Sequence, residues 1–340
     1  MLYFNTRGFS GTGVVYSPFL DSRLAVSASA NFGLVGNGRL YILDITPDGT
    51  IVPVKSFDTQ DSQCGVAWSE THENQLVTAG GDGAVRLFDV TTPQPFPLQV
   101  FKEHTQEVFS VNWNLTEKVT FCSASWDGTI KIWNPARTQS LLTLGIQQSH
   151  VQAPHPAPGA PGTSSTEKRC VYQAKYAPSN PTQILAAYAD ASARIWDVRT
   201  GNPAMVIPAV LGGDCLTADW NKYQPNVIAT AGVDKAVKIW DLRNLSVPVN
   251  DLRAHQYAVR SVKWSPHSPT HLLSVSYDMT AKVWNDYRDR HVPATGPRGL
   301  ISSFDRHTEF LSDCDWSLWG QPGWVATVGW DQMVYVWKAV

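Results

Sequence analysis

Two sets of residues in this 340-residue sequence combine a histidine, a serine and an aspartate: His104, Ser125 and Asp127, then His255, Ser276 and Asp278. These are the residue types of a hydrolase triad, in which the imidazole takes the serine proton and a carboxylate orients the ring. One hydrolase needs one such set. Here the set recurs, and each Asp is followed six residues later by a tryptophan, Trp133 or Trp284. Recurrence with a tryptophan attached suits a structural role. Buried polar groups must be paired, and a His–Ser–Asp–Trp chain of hydrogen bonds specifies one packing geometry. On this reading Gly80, Gly232 and Gly329 stand where further copies need the serine, so those copies are incomplete. No catalytic residue is expected. Neither a GxxxxGK[ST] phosphate loop nor an HExxH zinc motif occurs, and Cys64, Cys122, Cys170, Cys215 and Cys314 have no metal-ligand spacing. No cofactor and no metal are expected.

A second group of residues suits binding. Trp126, Tyr277 and Trp330 each stand immediately before one of the turn aspartates. Large aromatics clustered on one face mark a partner site more often than solvation requires. Near the same positions stand Glu107, Phe109, Arg260 and Phe310, with Asp61 and Asp214 at comparable loop positions. Carboxylates beside aromatics match a ligand that is basic on one side and apolar on the other, such as an amphipathic cationic helix in a shallow groove. A solvated rim is the alternative for each acid taken singly.

The elements that would carry these residues are repeats. Seven segments share one shape: GNGRLYILD, GDGAVRLFD, WDGTIKIWN, ADASARIWD, VDKAVKIWD, YDMTAKVWN and WDQMVYVWK. Their turn residues are Asn37, Asp82, Asp127, Asp190, Asp234, Asp278 and Asp331, and six residues later come Leu43, Phe88, Trp133, Trp196, Trp240, Trp284 and Trp337. An upstream aromatic repeats too: Trp68, Trp113, Tyr176, Trp220 and Trp264 stand fourteen residues before the turn, and Trp316 fifteen. Periods of 45, 45, 63, 44, 44 and 53 between turns, in alternating strand patterns, resemble the WD-repeat β-propeller with four strands per blade. The fold class expected is therefore all-β, a single seven-bladed propeller over 1–340. Val340 lies just past the third strand of the last repeat, so Leu2-Tyr3-Phe4 is expected to supply the missing outer strand and close the ring. The 63-residue period contains GIQQSHVQAPHPAPGAPGTSSTEK, residues 145–168. Its prolines and glycines predict a disordered insert between blades 3 and 4.

Composition narrows the function class. Lys and Arg total 27 against 29 Asp and Glu, a net charge of −2, which argues against a nucleic-acid binder. No apolar run reaches the ~18 residues of a membrane span.

Three stretches go beyond the generic repeat: Asn31 to Gly38 (NFGLVGNG), Lys102 to Val111 (KEHTQEVFSV) and His307 to Phe310 (HTEF), with Ser17-Pro18-Phe19 in support. In these the chain resembles the peroxin family of soluble receptors for the type-2 peroxisomal targeting signal. The resemblance implies a receptor that binds the N-terminal, nine-residue signal of matrix enzymes such as 3-ketoacyl-CoA thiolase as an amphipathic helix on the top face. It implies a co-receptor, docking proteins at the peroxisomal membrane and cycling between cytoplasm and peroxisome. The acidic signal contacts of that family match Glu107 and Asp61, and less closely Asp214. The alternative is a generic WD-repeat scaffold, such as a ubiquitin-ligase substrate adaptor, with the same fold and a different ligand.

Overall fold

The structure, a computed structural model, describes residues 1–30, 37–145, 170–210, 212–286 and 298–340. These form seven four-stranded antiparallel sheets. Each is a meander whose strands run outward from a central axis. The innermost strands are Ser10–Tyr16, Gln63–Trp68, Val108–Trp113, Val171–Ala177, Cys215–Trp220, Val259–Trp264 and Leu311–Trp316. Neighbouring innermost strands contact one another all the way round, including Ser10–Tyr16 with Leu311–Trp316. The result is the expected seven-bladed propeller.

Burial explains why these segments hold as strands. The second strand of blade 3, Phe121–Ser125, is buried at every position, while the third, Thr129–Trp133, alternates. Both faces of a blade's inner half are covered by neighbouring blades, so continuous apolar runs are tolerated there. Between blades 2 and 3, Phe101, Trp113, Phe121 and Trp133 pack into one cluster, with ring centroids 5.3 Å apart for Phe101–Phe121 and Trp113–Phe121. The turn aspartate starts the third strand. Asp127 Oδ1 accepts from the Thr129 amide at 2.9 Å, and the residue between them, Gly128, has φ of 85°. Such a left-handed residue is what a tight hairpin turn requires.

The ring closes as expected. Leu2–Asn5 pairs with Met333–Lys338, from Leu2 opposite Val336 to Asn5 opposite Met333. Blade 7 therefore draws one strand from the N-terminal end of the chain and three from the C-terminal end. Of the 145–168 insert, Gly145 ends the outer strand of blade 3, and residues 146–168 lie outside the described residues. So do residues 31–36.

The internal networks correct one expectation. His104 Nδ1 lies 2.8 Å from Asp127 Oδ2, but its Nε2 meets Ser123 Oγ at 2.7 Å, not Ser125. The Trp133 indole N–H donates to Ser123 Oγ at 2.8 Å. The indole can only donate, so the Ser123 hydroxyl gives its proton to Nε2, and Nδ1–H faces the carboxylate. Blade 6 repeats this with His255, Asp278, Trp284 and Ser274, not Ser276. Ser125 and Ser276 instead accept from the amides of Asp127 and Asp278 and donate to the carbonyls of Gln106 and Tyr257. Strand side chains two residues apart share a face, and the ring reaches the deeper one. The glycines at 80, 232 and 329 therefore do not make a copy incomplete. In blade 7, His307, Asp331, Thr327 and Trp337 form a full chain with threonine as the hydroxyl. Where blades 2, 4 and 5 lack the histidine, a cation four residues after the turn Asp takes its partner's place: Arg86 on Asp82, Arg194 on Asp190 and Lys238 on Asp234.

Candidate functional site

Among the described residues, blades 2 to 7 each deliver two residues to the same end of the channel by one repeated contact. The amide of the residue before the turn Asp donates to a carbonyl just ahead of the innermost strand. Trp126 N reaches Glu107 O at 3.0 Å, Trp330 N reaches Phe310 O at 2.8 Å and Tyr277 N reaches Ala258 O at 3.0 Å. Gly81 with Ser62 and Val233 with Asp214 follow the same pattern. The pre-turn aromatics and the strand entrances thus share one face, the top.

A second device sets the channel mouth. Every innermost strand carries a register shift at its start, as between Val108 and Ser110, Val171 and Gln173, or Val259 and Ser261. A bulge leaves one residue unpaired and re-aims its side chain. The unpaired residues are Thr12, Cys64, Phe109, Tyr172, Leu216, Arg260 and Ser312. All but Leu216 line a cavity of about 110 Å³ in the upper channel.

The aromatics fall into two groups. Phe109 and Trp126 stack, with centroids 4.7 Å apart and planes 8° off parallel, and Tyr172 stands edge-on to both at 6.1 and 6.4 Å. On the other side Tyr277, Phe310 and Trp330 form a chain, at 5.1 Å for the first pair and 5.4 Å for the second. Trp126 and Trp330 remain 37% and 41% exposed, so both offer apolar area to a ligand.

The charges differ in how far they are committed. Asp214 Oδ2 accepts the Tyr172 hydroxyl at 2.7 Å. Burial and this carboxylate both push the Tyr172 phenol well above its usual range. Asp61 Oδ1 accepts the Ser62 amide at 2.7 Å, capping its own turn. Glu107 makes no side-chain hydrogen bond among the described residues. Arg260, from blade 6, acts on Cys64 and Tyr172 across the mouth. Burial pushes the Cys64 thiol up to about 11, with the Ser62 hydrogen bond and Arg260 opposing it and Asp61 and Glu107 adding to it. Three carboxylates and one guanidinium thus stand at the mouth, while Lys175, Lys263 and Asp313 line the cavity below it, so attraction for a cation is confined to the outer rim.

The top face therefore brings together Glu107, Phe109 and Trp126 on one side and Tyr277, Phe310 and Trp330 on the other. Tyr172 and Cys64 were not anticipated from the sequence. A signal for them existed: the residue four before the strand-end aromatic is the bulged one in every blade, from Thr12 before Tyr16 to Ser312 before Trp316. Among the described residues no group of three His, Cys, Asp or Glu could hold a metal, and no helix is long and apolar enough to cross a membrane.

Comparison with known proteins agrees with this architecture. The family model "WD domain, G-beta repeat" matches residues 95–134 and 246–285. The chain is 44% identical to the peroxisomal targeting signal 2 receptor of Saccharomyces cerevisiae over the full length of both. It is 45% identical to that of Komagataella phaffii over 99% of each chain. For the Mus musculus receptor the identity is 37% over 98% of this chain and 95% of the relative. With its seven blades and end-to-end similarity, the chain belongs to the family of peroxisomal targeting signal 2 receptors.

Proposed function

We propose that this chain is a cargo receptor that binds the N-terminal type-2 signal of matrix enzymes, thiolase among them, as an amphipathic helix across the top face. The observation that carries the reading is the uncommitted Glu107 carboxylate beside the Phe109–Trp126 stack. A helix with a basic residue near its start and an apolar stripe would place the cation on Glu107 and lay the stripe over the aromatics. Asp61 and Asp214 give secondary attraction, since both already hold a hydrogen bond. The helix would leave its outer side exposed, so a co-receptor covers it and brings the complex to docking proteins at the peroxisomal membrane. The receptor then cycles between cytoplasm and peroxisome without catalysing a reaction, as one propeller over 1–340 with 145–168 as an insert.

Titration of a labelled nine-residue signal peptide, with and without co-receptor, tests this. Glu107→Ala should weaken binding by ~2–5 kcal/mol, as loss of one partner of a partly desolvated charge pair does. Glu107→Lys should be worse, because repulsion is added. Changing the signal's basic residue to Glu should partly rescue Glu107→Lys. A coupling energy near zero in this double-mutant cycle would refute the assignment. Capture of ubiquitin-ligase subunits in place of signal-bearing cargo would favour the adaptor reading.

A further inference from the structure

The two sides of the top mouth carry opposite charges. Of the seven bulged residues at the strand entrances, Arg260 alone is charged. It is half-buried and lines the cavity of about 110 Å³. It follows two residues after Ala258, whose carbonyl accepts the Tyr277 amide at 3.0 Å. Arg260 therefore stands beside the Tyr277–Phe310–Trp330 group in blades 6 and 7, as Glu107 stands beside Phe109 and Trp126 in blade 3.

The Arg260 side chain makes no hydrogen bond and no ion pair among the described residues. The other cations of that cavity are committed. Lys175 Nζ donates to Asp219 at 3.0 Å and Lys263 Nζ to Asp315 at 3.1 Å. The acids nearby are committed too. Asp313, in the same lining, accepts Ser261 Oγ at 2.8 Å and the Val14 amide at 3.1 Å, and lies 3.9 Å from Lys263. Asp214 holds the Tyr172 hydroxyl and Asp61 the Ser62 amide. A guanidinium has five N–H donors and no acceptor, so Arg260 keeps its donors for a ligand.

A helix lying on this face has two unlike ends. Its last four carbonyls lack partners within the helix, and the macrodipole puts about half a negative charge there. Nine residues at 1.5 Å each span ~14 Å, so the ends fall on different blades. With the basic start on Glu107 in blade 3, the last turn points toward blade 6, on the far side of the ring.

We propose that Arg260 fixes the direction of the bound signal helix: it donates to the last-turn carbonyls and repels a basic residue placed at that end. This rests on the top-face reading.

Anisotropy titration with the labelled nine-residue signal peptide tests it, the C-terminus being either a free carboxylate or an amide. The carboxylate puts a full charge where the carbonyl dipoles point, so the wild type should bind the acid form three- to tenfold tighter. Arg260→Gln should erase that preference and weaken the amide form several-fold, at an unchanged melting temperature. Arg260→Lys, which keeps the charge, should retain most of the preference. Lys235→Gln should leave it intact, because that lysine sits outside the channel, over the exposed Tyr257 ring. Glu107→Ala should weaken both forms alike. A peptide of reversed sequence should bind the wild type poorly and gain at least tenfold on the forward peptide in Arg260→Glu. Equal affinities of the two forms for the wild type, a preference that survives Arg260→Gln, or one that Lys235→Gln removes would each overturn the proposal while signal binding stands. Failure of both forms to bind the wild type would overturn the top-face reading and this inference with it.

Discussion

At the scale of single residues, the hydroxyl that joins imidazole to indole is Ser123 in blade 3 and Ser274 in blade 6. Ser123→Ala should cost ~1–3 kcal/mol, since it strands a buried imidazole nitrogen and a buried indole N–H. Ser125→Ala should cost less, because that hydroxyl only bridges backbone groups of the turn. Urea unfolding of the two variants checks the order, and the reverse ranking would restore Ser125 to the network. Asp127→Ala belongs with Ser123→Ala, as loss of a buried partner. Charge makes the same network pH-sensitive. Burial lowers the His255 pKa below the ordinary 6.5, with Asp278 opposing and Lys282 adding to the shift. A base with a depressed folded pKa takes up its proton more readily when unfolded, so its share of stability is full above about 6.5 and declines as pH falls below it. The stability of the wild type should therefore drop between pH 7 and 5, and His255→Gln should show a smaller drop on the same unfolding series, whatever its starting stability.

At the scale of elements, the ring depends on a four-residue strand. Leu2–Asn5 supplies the outer edge of blade 7. The following residues are tied in as well: the Thr6 amide donates to Gln332 O at 2.9 Å and the Tyr41 hydroxyl donates to Thr6 O at 2.7 Å. Removing Met1 to Asn5 would expose the edge of Met333–Lys338 and release the packing of Phe4 on Tyr41, whose rings lie 5.9 Å apart. We expect the melting temperature to fall by about 5 °C or more, at the few degrees per kcal/mol usual for large domains. An unchanged scanning-calorimetry trace would mean that blade 7 is stable with three strands. The bulge at the start of each innermost strand is the other decisive element. It turns a pleated edge into a ring of inward side chains, and it does so at the same register in all seven blades.

At the scale of the whole molecule, the propeller is a rigid disc whose two faces differ. The top face carries acids and two aromatic groups, and the opposite channel end balances Lys175, Lys222 and Lys263 with Glu70, Asp219 and Asp315. Net charge is −2, so attraction of a cationic ligand must come from local placement and not from the overall field. Trp126→Ala, Tyr277→Ala and Trp330→Ala should each weaken signal-peptide binding by ~1–3 kcal/mol while the melting temperature holds. Anisotropy titrations of the three variants against wild type would show this. Three wild-type affinities would place the ligand elsewhere on the disc.

The repeat registers alone were enough for the seven blades, the four-strand plan, the closing strand and the face on which the pre-turn aromatics emerge. Each follows from local periodicity, because a strand's alternation and a turn's left-handed residue are written within a few positions. The His–Asp–Trp partners were equally legible, since they recur at constant spacing. What only the tertiary structure decided is which of two same-face serines meets the imidazole, because that depends on how deep the ring reaches between strands. It also decided that Tyr172 clamps Asp214 while Glu107 stays uncommitted, a contact between blades 4 and 5 that spans 42 positions of sequence. The uncommitted guanidinium of Arg260 belongs to the same class. A residue's hydrogen-bond partners across a channel are set by the distance between inner strands, and that distance is a property of the closed ring rather than of any one repeat.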